Sequence, residues 1–288
     1  MRAKITQLVK SSFQIYIYEK QLLANALIKG IFKYENKKHK PLVGDEVEVQ
    51  EQDNQFVITD FYPRTNALIR PRIANVDIVV IVTAFVSPFI SLYQLNKLIA
   101  YYESQKVCEV VLAFSKYDLL TDHTEADEIM AQYKKDKYTV VNLQKQEDVD
   151  HLHTLIKDHV FCLVGQSGVG KSTLINKLLD EEQQKTQAVS LSLQRGKNTT
   201  TATKLIRFND AFIVDTPGYS SLDLSIFTPQ ELAGSFKDFA LLSLACKFQD
   251  CLHLSEPDCA VKKAVENQEI QEFRYSHYLL MLKEAKNT

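Results

Sequence analysis

The chain has 288 residues, 45% of them hydrophobic and 24% charged, with a formal net charge of -2. Such a length holds two or three domains of ~100–200 residues each, and the charge excludes a globally basic nucleic-acid binder while leaving room for a local basic patch. The longest apolar stretch, 78–90, is broken by Thr83, Ser87 and Pro88, well short of the ~20 apolar residues of a membrane helix. Residues 1–10 carry charges with no apolar segment behind them, so neither a secretory leader nor a membrane partner is expected. The five cysteines are few, odd in number and clustered, which points to a cytoplasmic, reducing compartment and to a metal.

Along the chain, three textures follow one another. Residues 1–63 hold five short runs of β-branched, aromatic and alternating residues, at 5–9, 13–18, 22–28, 46–50 and 56–61. Five strands in so short a span predict a small barrel, of OB type by strand count, although periodicity does not separate it from an SH3-like one. Lys29, Lys33, Lys37, Lys38, His39 and Lys40, interleaved with Phe32 and Tyr34, read either as a solvated loop or as an RNA grip in which cations hold phosphates and aromatics stack on bases. From 64 to 228 apolar strands at 78–82, 110–113, 161–164 and 212–214 alternate with helical patterns at 92–103, 125–134 and 171–179, which predicts a mainly parallel sheet covered on both faces. The last zone, 229–288, reads as two helices, 231–245 and 260–286, around a cysteine-rich knot. The expected architecture is multidomain α/β.

Gly165, Gln166, Ser167, Gly168, Val169, Gly170, Lys171 and Ser172 match G-x-x-x-x-G-K-[ST] in full, between an apolar strand and a helix. That context separates a phosphate loop from a chance glycine-rich turn. The backbone N–H groups curl around phosphates, Lys171 reaches the β- and γ-phosphates, Ser172 holds Mg²⁺, and Thr173 offers its N–H at the helix start. Asp215, Thr216, Pro217 and Gly218 follow the strand 212–214. Asp215 is expected to bind Mg²⁺ through water, and the Gly218 N–H to meet the γ-phosphate. Between the two lies 196–201, where Thr200, among three adjacent threonines, is the expected ligand of Mg²⁺ and γ-phosphate.

Ser115, Lys116, Tyr117 and Asp118 resemble the guanine-reading N-K-x-D. A carboxylate at Asp118 accepts from guanine N1–H and the exocyclic amine, a donor pair that adenine lacks, and the Lys116 stem covers the base face. This argues against a third reading, a P-loop enzyme that uses ATP on a metabolite. The motifs run in permuted order, since Asp118 precedes Lys171. Permutation carries the Asp215–Gly218 loop directly into the C-terminal zone, so a γ-phosphate-driven movement there is passed to the next domain.

Cys246, Cys251, His253 and Cys259 offer three thiolates and an imidazole within fourteen residues. Such a set suits tetrahedral Zn²⁺ in a closed, structural site. Cys108 and Cys162 lie in or beside apolar strands and read as core.

With these permuted motifs between a small barrel and a C-C-H-C knot, the chain resembles the RsgA family of circularly permuted GTPases that depend on the small ribosomal subunit. Val43-Gly44-Asp45, Arg64-Thr65-Asn66, the run 70–77, Glu256-Pro257, Ala260-Val261, Arg274-Tyr275 and Tyr278 extend the resemblance over almost the whole chain. It implies an OB-type barrel at 1–63, a permuted GTPase domain at 64–228 and a helical zinc domain at 229–288. It further implies GTP hydrolysis stimulated by the 30S subunit in late subunit maturation, GTP/GDP with Mg²⁺, one Zn²⁺, and 16S rRNA as partner; a monomer is expected. Three positions depart from the family. Ser115 replaces an Asn and lacks its amide, which predicts a less rigid loop. The segment 141–143 does not match the usual Ser-Ala base-contacting loop. Asn198 stands where His is usual, and Tyr219 follows Gly218 where Ras-like enzymes have Gln. Asn198 orients a water but is no base near neutral pH. A GTP-gated binding factor with little hydrolysis is therefore the second reading.

Overall fold

The computed structural model describes residues 1–10, 12–28, 40–89, 91–105, 107, 109–179, 203–215, 224 and 226–286. These fall into two compact units: Met1–Ile78 with His153–Leu163 and Ile175–Gly218, and Val79–Leu152 with Val164–Leu174 and Tyr219–Thr288. No helix among the described residues is long and apolar enough to cross a membrane.

In the first unit, β1 (Arg2–Leu8), β2 (Phe13–Ile17), β3 (Leu22–Ile28), β4 (Glu46–Gln52) and β5 (Gln55–Phe61) form a closed five-stranded barrel. The ring runs β1-β2-β3-β5-β4 and returns to β1. A parallel β3–β5 pair, Leu27 opposite Val57, closes it; this is the OB-type connection that strand counting left open. Alternation explains the core: Ala3 and Ile5, Ile15 and Ile17, Val47 and Val49 point inward with Ala26 and Ile58.

The motifs that resemble the family in this region are structural. Arg64 donates from Nε to Asp45 Oδ1 at 2.6 Å and from Nη2 to Oδ2 at 2.8 Å. Asn75 Nδ2 donates to Gly44 O at 3.0 Å, while its Oδ1 accepts from Thr65 N at 2.8 Å. Gly44 has φ +90°, and a Cβ there would lie 2.0 Å from Ala74 O; no other residue fits.

After two short paired strands, β6 (Ala67–Leu68) and β7 (Ile73–Ala74), comes β8 (Ile78–Ala84). In the first unit the barrel is joined through an antiparallel step, Gln7 opposite Lys204, to β12 (Lys204–Phe208). β12 pairs with β13 (Ala211–Asp215), which runs parallel to β11 (Val160–Val164). Arg207 lies over the rings of Tyr16, at 5.4 Å, and Phe212, at 5.2 Å, clasping barrel and hairpin.

In the second unit the strand order is β10-β9-β8, with β9 at Glu109–Ser115 and β10 at Thr139–Asn142. All seven residues of β8 are buried, as expected of a strand covered on both faces. The helices are α1 (Leu92–Glu103), α2 (Thr124–Lys135), α3 (Gln146–Ile156), α4 (Lys171–Leu178), α5 (Pro229–Ala233), α6 (Lys237–Ser243), α7 (Ala260–Glu266) and α8 (Glu272–Lys286). Both long C-terminal helices expected from the sequence are broken. A capping box of Thr228 and Glu231 starts α5, which ends at Gly234. Phe236 then turns extended and is fully buried, packing on Phe239 at 5.2 Å. The burial of that ring wins over helix continuity.

Candidate nucleotide site and metal centre

β11 delivers the chain into the phosphate loop, and α4 takes it out. Gly165 has φ +142°, and a Cβ on it would stand 2.2 Å from Val82 O. The first glycine of the motif is thus imposed by β8 as well as by phosphate access. Gly168 and Gly170 also have positive φ. Lys171 Nζ donates to Gly165 O at 2.7 Å and to Gln166 O at 2.6 Å, which holds its charge over the loop. Ser167, Ser172 and Thr173 are exposed, whereas Val169 is buried beneath.

The base-reading loop leaves the carboxyl end of β9. Lys116 takes a left-handed conformation with φ +58°, and Tyr117–Leu119 form one tight turn. Lys116 Nζ donates to Ser87 O. Tyr117 stacks on His123 at 4.3 Å and donates to Asp127 Oδ1 at 3.0 Å. These braces leave Asp118 exposed, available to a base. The segment 141–143 continues β10 beside β9, with Leu143 N donating to Phe114 O at 2.9 Å. Gln144 follows it, and its Oε1 accepts from Tyr117 N at 3.3 Å. Gln144 was not singled out in the sequence, because nothing local marks a contact across 27 residues.

Ser115, which lacks the amide of the usual Asn, places its buried Oγ 2.5 Å from Val169 O and 3.0 Å from Thr83 O. Asp215 ends β13, and Cys162 stands opposite Val214 in the parallel β11–β13 pair. The carboxyl ends of both strands therefore share one edge, where ligands of such sheets bind. Asn198, Thr200 and Gly218, like 29–39, lie outside the described residues.

In the knot, the ligand atoms of Cys246, Cys251, His253 and Cys259 all lie within 4.8 Å of one another. His253 Nδ1 is 3.4 Å from Cys259 Sγ and 3.8 Å from Cys246 Sγ, and those two sulfurs are 3.9 Å apart. A tetrahedral ion with 2.3 Å bonds to sulfur sets its ligands about 3.8 Å apart, so the donor set fits Zn²⁺. Burial, with the neighbouring thiols Cys259 and Cys246, pushes Cys251 up to about 12; a bound cation reverses that balance. The loop is held from outside. Glu256 accepts from Leu252 N and Leu254 N at 2.9 and 2.6 Å, and Tyr275 and Tyr278 donate to His253 O and Leu252 O at 2.6 and 2.7 Å. Cys162 is fully buried in β11, as read from the sequence.

A family model described as RsgA GTPase matches residues 61–225. The chain belongs to the RsgA GTPase family. A relative in Ureaplasma urealyticum, named small ribosomal subunit biogenesis GTPase RsgA, is 45% identical over 100% of this chain and 96% of its own. Another of the same name, in Malacoplasma penetrans, is 42% identical over 99% and 100%. Among solved structures, YloQ, described as a circularly permuted GTPase, superimposes with a TM-score of 0.81 at 31% identity, covering 99% of this chain and 95% of that one. YjeQ from Thermotoga maritima gives 0.83 at 30% identity, covering 100% and 99%. Membership in the RsgA family makes the chain a GTPase, and the permuted order read from its motifs is that of the YloQ fold.

Proposed function

We propose that this chain binds the 30S ribosomal subunit, hydrolyses GTP to GDP and phosphate in a subunit-stimulated manner, and acts in late maturation of that subunit. What carries the reading is a base-reading loop bonded to a phosphate loop that follows it in the chain, within relatives named for small-subunit biogenesis. Lys171 and the loop 165–172 hold the phosphates, with Thr173 at the helix start; Ser172, Asp215 and Thr200 hold Mg²⁺, which neutralises charge developing on the phosphate oxygens. Asp118 reads guanine, Gly218 meets the γ-phosphate, and Asn198 orients the attacking water. The barrel at 1–63 contacts 16S rRNA, the domain at 64–228 binds nucleotide, and the region 229–288 is ordered by one Zn²⁺ in a cytoplasmic monomer.

The deciding experiment is GTP turnover by the purified protein alone and with purified 30S subunits. A large stimulation is expected. Tight GTP binding without stimulation would establish the second reading, a GTP-gated binding factor, which is favoured by Asn198 and Tyr219 in place of the usual groups.

A further inference from the structure

A cleft of about 510 Å³ opens in the first unit, on the outer side of the barrel. Small-molecule and cofactor sites have volumes of ~300–1,000 Å³. Residues of β1, β2 and β4 form one wall, and the hairpin β12–β13 with the start of β11 forms another. None of its lining residues belongs to the phosphate or base-reading loop. On the barrel wall Glu46 is buried and fully engaged, accepting from Lys4 Nζ at 2.6 Å, Tyr18 Oη at 2.7 Å and Arg2 Nε at 3.1 Å. That anion fixes Arg2, whose guanidinium stands 5.4 Å from the Tyr62 ring centroid and whose η nitrogens have no hydrogen-bond partner among the described residues. On the hairpin wall Arg207 is seated against the rings of Tyr16 and Phe212, with Asp210 3.6 Å away. It makes no hydrogen bond among the described residues and keeps 35% of its side-chain surface exposed. Asp158, exposed on the lining, pairs with none of the described residues.

The geometry points to this cleft as a second binding site, for a ribonucleoside, supplied either as a free nucleotide or as one residue of an RNA chain. A guanidinium ordered by aromatic neighbours and left without hydrogen bonds is a planar platform on which a base stacks. Arg207 is such a platform, and the Tyr62 ring beside Arg2 offers another aromatic surface. Carboxylates accept from ribose hydroxyls, as the acidic residue of dinucleotide sites does, and Asp158 is uncommitted. Charge decides what else the ligand carries. Three cations line the cleft against four carboxylates, and Lys4 is paired with Glu46. A polyphosphate therefore meets excess negative charge, whereas a nucleoside with at most one phosphate, placed against the η nitrogens of Arg2, is complementary. The site is independent of the guanine reading at Asp118, because the two share no residue.

The test uses the full chain saturated with GDP, so that the phosphate loop is already filled. AMP and its 2′-deoxy counterpart are titrated by saturation-transfer NMR, and a labelled hexaadenylate and its DNA counterpart by fluorescence anisotropy, with wild type, Arg207→Lys and Asp158→Asn. Lysine keeps the charge and removes the plane. Asparagine keeps the shape, tolerates the φ of +61° at this position, and removes the charge. Wild type is expected to hold the ribose form several-fold more tightly than the deoxyribose form. Arg207→Lys weakens binding roughly tenfold, the scale of one stacking contact, and Asp158→Asn abolishes the preference for ribose. Binding of AMP makes a free nucleotide the source, and binding of the oligonucleotide without AMP makes RNA the source. If Arg207→Lys lowers the melting temperature, Asp158→Asn decides alone, since its side chain bonds to no described neighbour. Three results overturn the proposal: neither probe binds, ribose and deoxyribose forms bind wild type alike, or Asp158→Asn keeps the wild-type preference for ribose, which puts the ligand elsewhere.

Discussion

Arg274 Nη2 lies 2.8 Å from Asp238 Oδ1, and its Nε lies 3.2 Å from Asp136 Oδ2. The arginine has no exposed surface, and its guanidinium stands 4.8 Å from the ring centroid of Phe236. One side chain on α8 thereby fixes α6 through Asp238 and the end of α2 through Asp136. Asn96 of α1 accepts from Nη1 at 3.4 Å. Removing one partner of a buried ion pair leaves the others uncompensated. Arg274→Met is therefore expected to cost about 3–5 kcal/mol in urea unfolding. A loss below about 1 kcal/mol would assign the attachment to aromatic packing instead.

Gly165→Ala tests the phosphate loop through its backbone. A Cβ 2.2 Å from Val82 O cannot be accommodated without moving β8 or the loop, and the φ of +142° is strained for alanine. Loss of fluorescent GDP binding is expected, with far-ultraviolet circular dichroism kept. Retained GDP affinity would mean that the loop tolerates a shift of this size at its first residue.

Motifs whose chemistry is local in sequence were legible from it. The phosphate loop, the turn at Asp118 and the four knot residues each needed only their own neighbours to be recognised. The barrel strands were legible as well, because alternation marks their inner face, whereas the barrel type depended on a pairing between β3 and β5 that no local pattern encodes. Two long helices were expected where four stand, three of them short; Phe236, which breaks the first, is buried against Arg274, far along the chain. The partners of Ser115 were not legible, because its acceptors come from β8 and the phosphate loop, 32 and 54 residues away in the chain. The strand β10 and the helix α3 were not anticipated at all. β10 spans only Thr139–Asn142, too few residues to display a period.

Glu103, the last residue of α1, gives a pH dependence opposite in sign to that of most carboxylates. Burial pushes it up from 4.5 to about 7 against the pull of Lys237, whose Nζ is 3.9 Å from its Oε1. Glu109 and Asp238 add to the rise, and Arg274 opposes it. The folded protein then holds this proton more firmly than the unfolded chain between pH 4.5 and about 7. Its contribution to stability is full below that window and is lost as pH rises through it. Urea unfolding of wild type and Glu103→Gln at several pH values should show wild type losing stability relative to the variant as pH rises through this range. Parallel curves would show that Glu103 is already ionised in the fold.

The knot makes a prediction that separates metal from packing. Three thiols and an imidazole that meet within 4.8 Å are poorly disposed without a cation, because burial raises the cost of the Cys251 and Cys259 thiolates. Zinc accepts thiolates at that spacing and so turns the cluster from a liability into a fastening for α7, which starts immediately after Cys259. Protein purified without added metal should carry one equivalent of zinc. Cys251→Ser, or a strong chelator, should remove it and lower the melting temperature. Hydrogen exchange should then quicken around 246–270 while GDP binding persists, since no knot residue belongs to the phosphate or base-reading loop. If the metal-free protein melts where the loaded one does, the four residues form a packed cluster whose fold does not depend on the ion. If GDP binding is lost along with the metal, the knot supports the nucleotide site as well.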